Sequence, residues 1–183
     1  MRRLFVAIRP PEDIRALLLG RMGGIAGARW QRDDQLHLTV RFIGEVDRHT
    51  AQDIDAALAA VHHPAFEIAL DGVDLFDRRG RPEALWAGVS PRAPLERLNN
   101  KVEQALLRVG LAPEKRAYLP HITLARLGAS SGPVGDFVTA QGGLASQPFP
   151  AAGFGLFEST LAPDGAVYTE IARYALDGPA LSR

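Results

Sequence analysis

One tetrapeptide pattern occurs twice in this chain, as His37-Leu38-Thr39-Val40 and as His121-Ile122-Thr123-Leu124. Polar and apolar residues alternate through both copies, the period of a strand with one face buried and the other open. On such a strand His and Thr share the open face, while Leu38 and Val40, or Ile122 and Leu124, point into a core. Two strands of this kind around one cleft would surround it with two imidazoles and two hydroxyls. That equipment can take and give protons around a phosphate.

The repetition extends past the motif and constrains the fold. Leu4-Phe5-Val6-Ala7-Ile8, then Pro10 and Pro11, a helical stretch and the first motif make one unit. Leu85-Trp86-Ala87-Gly88-Val89, then Pro91, another helical stretch and the second motif make the next. Gly72-Val73-Asp74-Leu75-Phe76 is echoed by Gly153-Phe154-Gly155-Leu156-Phe157. The three pairs are offset by 81, 84 and 81 residues, and such near-constant spacing argues for a duplicated unit. Two units are too few for a solenoid. The expected fold is therefore α+β, with residues 1–183 as a single bilobal domain. Its two pseudo-symmetric lobes are mainly antiparallel sheet, with outer helices, around a central cleft.

Periodicity fills in the remainder. Residues 4–8 read as a strand, 11–22 as an amphipathic helix with Ile14, Leu17 and Leu18 at helical spacing, and 36–43 as the first motif strand. A helix follows over 50–61, with Asp47 or Thr50 as its N-cap. Strands 66–76 and 84–89 are joined by the basic loop 77–82. Residues 95–109 put Leu95, Leu98, Val102, Leu106 and Val109 on one helical face, and 118–127 carry the second motif. Residues 128–147 predict a loop with one short helix. Strands 149–159 and 166–176 form a hairpin around Pro163-Asp164-Gly165.

Composition removes several chemistries. With 183 residues, 46% of them hydrophobic, the chain can bury a sizeable core without disulfide staples. Zero cysteines exclude a thiolate nucleophile and cysteine-ligated zinc. No Gly-x-Ser-x-Gly, P-loop or dinucleotide fingerprint is present. The apolar run after Met1 is too short for a signal peptide, and no run approaches membrane-spanning length, so a cytoplasmic protein off the membrane is expected. The formal net charge of zero argues against a general basic coat, so nucleic acid would bind only at a local patch.

The arginines near the motifs are ambiguous. Arg41 lies at an even offset from His37 and should share its face. Arg126 lies at an odd offset from His121 and needs a bulge or the strand end to reach the same side. His49, His62 and His63 read as solvated surface residues. The Arg78-Arg79-Gly80-Arg81 tip is either a solvated turn or a basic edge for distant substrate phosphates, through Arg79 and Arg81. Tyr118 either stacks a base or packs in the core.

Taken together, the paired motifs and their surroundings resemble the two-histidine phosphoesterase superfamily, and most closely the bacterial RNA 2',3'-cyclic phosphodiesterases, also called 2'-5' RNA ligases. The resemblance runs through Arg3-Leu4-Phe5-Val6-Ala7-Ile8, Leu36 to Val46, Leu85 to Val89, Arg116, Pro120-His121-Ile122-Thr123-Leu124-Ala125-Arg126 and Phe157-Glu158-Ser159. It implies a bilobal fold and an RNA substrate with a 2',3'-cyclic phosphate end, tRNA fragments among the candidates, opened to a 2'-phosphate. It also implies a reverse-type joining of RNA ends through a 2'-5' linkage. Arg126 is the phosphate ligand by this resemblance, against the parity that favours Arg41. A monomer without cofactor or metal is expected.

Opening a cyclic phosphodiester is an in-line displacement: water loses a proton as it attacks, and the departing ribose oxygen gains one on the far side. Histidine, with an ordinary pKa near 6.5, can serve as either partner at neutral pH. The assignment taken here is His37 as acid toward O3' and His121 as base, with Thr39, Thr123 and an arginine on the phosphate oxygens. The competing readings are a non-catalytic module that holds RNA ends or phosphate, and a phosphodiesterase for small cyclic nucleotides or ADP-ribose cyclic phosphate.

Overall fold

The computed structural model describes residues 1–177. In chain order the elements are β1 (Arg2–Ile8), α1 (Glu12–Leu19), β2 (Arg29–Trp30), β3 (Leu38–Val46), α2 (Arg48–Ala59), β4 (Phe66–Arg78), β5 (Arg81–Ser90), α3 (Ala93–Arg108), β6 (His121–Arg126), α4 (Gly135–Gln141), β7 (Phe149–Ala151), β8 (Gly153–Ala162) and β9 (Gly165–Ala175). All pairings between these strands are antiparallel. The order β7-β4-β5-β6-β3-β1-β8-β9 divides into two four-stranded halves, with β2 added alongside β6. The halves meet where β3 and β6 share one bridge, Leu38 with Ile122.

The third strand of each sequence repeat crosses to the other half. β4 follows the first motif in the chain but pairs with β5, and β8 follows the second motif but pairs with β1. Register also adjusts the repeat alignment. Ala7 opposes Thr39 just as Trp86 opposes Thr123, so β1 matches β5 at an offset of 79 rather than 81. The two-residue difference preserves which side chains face the cleft.

Apolar periodicity accounts for the layers. Leu95, Leu98, Val102 and Leu106 of α3 are fully buried against the sheet, together with Ile54 and Leu58 of α2. Each such side chain stabilises the fold by roughly 1.5–3 kcal/mol. The opposite face of β1 and β8 carries a second, aromatic cluster of Phe5, Ala7 and Phe157, with Tyr168 packed on it. The Asp47 carboxylate accepts from the Thr50 amide at 2.8 Å and caps α2. The basic 77–82 stretch is not a long loop: β4 and β5 run on to Arg78 and Arg81. Arg79 and Gly80, both at positive φ (54° and 77°), make a two-residue turn. The short strand β2 is an addition to the elements expected, since two residues carry no period. His63 is not solvated but buried, its Nδ1–H donating to the Pro64 carbonyl at 2.7 Å, whereas His62 is exposed.

Candidate active site

The single β3–β6 bridge generates the site. Leu38 and Ile122 are the residues just after the two histidines, and both point into the core. Extending that antiparallel register one residue either way sets His37 opposite Thr123 and Thr39 opposite His121. The four polar side chains therefore sit at the corners of one patch, histidines on one diagonal and threonines on the other. Diagonal neighbours across an antiparallel pair lie about 7–8 Å apart.

Each motif strand carries a bulge at the same place. Val40 is skipped in the pairing of β3 with β1, and Leu124 in the pairing of β6 with β5. The extra residue reverses parity for everything that follows. Arg126 thereby emerges on the side of His121 and Thr123, exposed, and its charge acts on the His121 ring. Arg41 is turned away, against the parity expectation. It is buried, paired with Glu103 of α3, and donates to the Ala112 carbonyl at 2.9 Å. It is not available to a phosphate in the cleft. The residue that takes its place is Phe42, the positional equivalent of Arg126, which is 56% exposed beside Phe5.

Both histidines are held edge-on by aromatic rings from the equivalent positions Phe157 and Phe76. Ring centroids are 4.6 Å apart for His37 and Phe157 and 4.8 Å for His121 and Phe76. Phe5 and Tyr168 close in on His37 at 6.0 and 5.6 Å, and Trp86 on His121 at 5.8 Å. Gly88, opposite His121, lets the backbones approach: a Cβ there would lie 2.3 Å from the Asp71 carbonyl oxygen.

Such surroundings disfavour charge on the rings. Burial lowers His37 to about 4, with Arg9 and Arg15 adding to the effect; the Gln35 backbone, which falls short of a hydrogen bond to the ring, and Glu170 oppose it. Burial also lowers His121, helped by Arg126 and opposed by the Leu119 carbonyl, which accepts from Nδ1–H at 2.7 Å. That bond fixes the neutral ring with its lone pair on Nε2. Among the described residues neither ring nitrogen of His37 has a hydrogen-bond partner.

The other expected contacts separate. Arg79 and Arg81 are exposed at the tip of the β4–β5 hairpin, whose body carries Phe76 and Trp86. Tyr118 packs on the main core, and its hydroxyl donates to the Thr39 carbonyl at 3.2 Å, so it braces a motif strand instead of offering a free ring. Among the described residues no group of three His, Cys, Asp or Glu side chains is gathered that could hold a metal ion. Sequence reading missed Phe42 and the aromatic cages. The bulge that exposes Phe42 leaves a faint trace, since Val40-Arg41 breaks the alternation only if Arg41 is known to be buried.

Comparison with known proteins agrees with this architecture. Residues 10–141, which span both motif strands, match the family model described as the 2'-5' RNA ligase superfamily. A protein of Archaeoglobus fulgidus named RNA 2',3'-cyclic phosphodiesterase is 30% identical over 172 residues, covering 92% of this chain and 97% of its own. One of the same name from Thermus thermophilus is 33% identical over 187 residues, covering 96% and 91%. A crystal structure of a Thermus thermophilus protein superimposes with a TM-score of 0.81 at 27% identity, covering 98% of this chain and 100% of that one. Escherichia coli LigT complexed with 3'-AMP gives 0.76 at 25% identity, covering 96% and 98%. The chain belongs to the 2'-5' RNA ligase superfamily.

Proposed function

We infer that this protein is an RNA 2',3'-cyclic phosphodiesterase that opens the cyclic end to a 2'-phosphate with two histidines and no metal. The observation that carries the reading is the Leu38–Ile122 bridge, which brings the two His-x-Thr motifs side by side; in this reading the imidazoles take one diagonal and the hydroxyls the other. An in-line displacement needs a base and an acid on opposite sides of phosphorus and donors on the non-bridging oxygens between them. In this reading His121 Nε2 takes the proton from the attacking water, the P–O3' bond breaks, and His37 protonates O3'. The Leu119 bond and the nearby Arg126 both suit His121 to the role of base. Glu170 and an incoming phosphate anion both favour charge on His37. Thr39, Thr123 and Arg126 hold the phosphate oxygens, and Phe42 offers a flat apolar surface to the terminal base. A 5'-hydroxyl in place of water would give a 2'-5' linkage by the same proton transfers.

Two histidines packed among aromatic rings at a cost in solvation, His37 buried and His121 half-buried, argue for turnover rather than simple phosphate holding, for which Thr and Arg suffice. The exchange of third strands between halves supports a single domain over the described residues 1–177, since neither half has all its strands from one repeat. We assign it to the cytoplasm as a monomer, consistent with the absence of cysteine. The test supplies 2',3'-cyclic nucleotides, 2',3'-cyclic-ended oligonucleotides, tRNA halves and ADP-ribose 1'',2''-cyclic phosphate in excess chelator and identifies the products. A 2'-phosphate from the RNA ends is expected. Turnover only after divalent metal is restored, or only of the ADP-ribose compound, would refute the reading.

A further inference from the structure

We propose that Asn99 is a positioning residue whose side-chain amide does the work of a missing strand and holds Thr39 toward the phosphate. The inference rests on Thr39 being a phosphate ligand, as argued above. It comes from comparing the outer edges of the two motif strands.

Beyond their shared bridge, β3 and β6 part, and each is left with backbone carbonyls that need donors. Along β6 the solution is a strand. β2 pairs Arg29 with Arg126 and Trp30 with Ala125, and the Gln31 amide donates to the Leu124 carbonyl at 2.8 Å. The stretch of chain equivalent to β2 in the other repeat, residues 113–115, forms no strand. The carbonyl equivalent to that of Leu124 is that of Val40, and the donor there is Asn99 Nδ2, also at 2.8 Å. Tyr118 Oη donates to the Thr39 carbonyl, and the Arg41 guanidinium to that of Phe42. Side chains thus replace a backbone ladder on one side of the site only.

Val40 is the bulge residue, which makes its carbonyl the sensitive one. A bulge leaves its extra residue outside the ladder and disrupts the pairing locally, so the peptide that joins Val40 to Thr39 is held by fewer backbone bonds than its neighbours. Asn99 comes from α3, where Glu103, one turn further, pairs with Arg41 and accepts from the Glu114 amide. The helix therefore pins the bulge from a rigid base at two consecutive points. Loss of the first leaves Thr39 free to tilt away from its diagonal partner Thr123.

The test is a pair of double-mutant cycles on a 2',3'-cyclic nucleotide. Asn99→Ala is expected to lower kcat about ten- to a hundredfold, the cost of misplacing a group by about 1 Å. In a Thr39→Val background the same change should cost less than about twofold, because the hydroxyl it positions is gone. In a Thr123→Val background it should keep its full cost. Equal cost in both backgrounds would show a general structural role and overturn the proposal, as would a folded Asn99→Ala protein with unchanged kcat. If Asn99→Ala does not fold, Tyr118→Phe removes only the hydroxyl that bonds Thr39 and enters the same cycles with the same expectations. Binding of inorganic phosphate by calorimetry gives a readout independent of turnover. If the wild type opens no cyclic phosphodiester, the proposed activity falls while the pattern of phosphate affinities still decides the role of Asn99.

Discussion

His37 should make this protein sensitive to acid, and His37→Leu should remove much of that sensitivity. The ring is 7% exposed and surrounded by Phe5, Phe157 and Tyr168, and among the described residues its nitrogens have no partner. Its pKa falls from 6.5 in the unfolded chain to about 4 in the fold. The unfolded state therefore binds more protons between those values. The stability contributed by the neutral ring is complete above about pH 6.5 and drains away as pH falls toward 4. The full gap corresponds to roughly 3 kcal/mol, of which about 2 kcal/mol is gone by pH 5. Asp33, held low by its bond to Arg15, and Asp47, held low by the Thr50 amide, lose their stabilising charge only below about pH 4. The window from pH 7.5 to 5 therefore reports mainly on histidine.

Urea unfolding of both proteins at pH 7.5, 6 and 5 is the assay. The wild type should lose about 2 kcal/mol more than His37→Leu across that window, with His121 contributing in the same direction to both. At pH 7.5 the variant should be at least as stable as the wild type, since it no longer buries two unpartnered nitrogens. It should also be inactive, the expected trade when a strained site is relieved. Parallel stability curves for the two proteins would refute the reasoning.

His37→Ala and His121→Ala should each lower kcat at least about a hundredfold, and the double variant less than the product of the singles, in steady-state assays. Thr39→Val and Thr123→Val keep the β-branched shape and should lower turnover without moving the melting temperature, while Arg126→Ala weakens inorganic phosphate binding measured by calorimetry. Because burial lowers both histidines, kcat/KM should peak below pH 6.5, and the kcat profile should lie at higher pH because a bound phosphate anion favours protonation. Phe42→Ala should weaken binding of a cyclic nucleotide by about five- to a hundredfold, the range expected for a lost stacking surface, and leave the affinity for inorganic phosphate unchanged.

The sequence carried the motif strands and their helices, because alternation and apolar spacing are direct imprints of burial. Asp47 and the Pro163-Asp164 turn were legible for the same reason: their chemistry is local. Arg41 was not. Its face depends on one extra residue in the pairing of β3 with β1, and a bulge is a property of two strands together. Tyr118 and His63 were misjudged or left open because their partners, the Thr39 and Pro64 carbonyls, are backbone groups that no side-chain pattern announces. The swapped third strands were invisible too, since the repeat predicts which segments are alike but not which half receives each.

Under the proposed function, the bulges would also turn a duplicated fold into a directional site. A patch with His and Thr on matched diagonals is blind to which way round a ribose cyclic phosphate enters, because O2' and O3' present nearly the same geometry. The two strands then continue through bulges at the same position, Val40 and Leu124, and deliver unlike residues to the open face. Phe42 emerges on one side and Arg126 on the other. For the proposed substrate, an apolar ring would favour the base and a guanidinium the phosphate charge, so one orientation would satisfy both. The same asymmetry reaches the histidines, because Arg126 discourages protonation of His121 while Glu170 encourages that of His37. In the proposed function, substrate polarity and the division of acid from base would both follow from one local irregularity, shared by both strands and occupied differently in each.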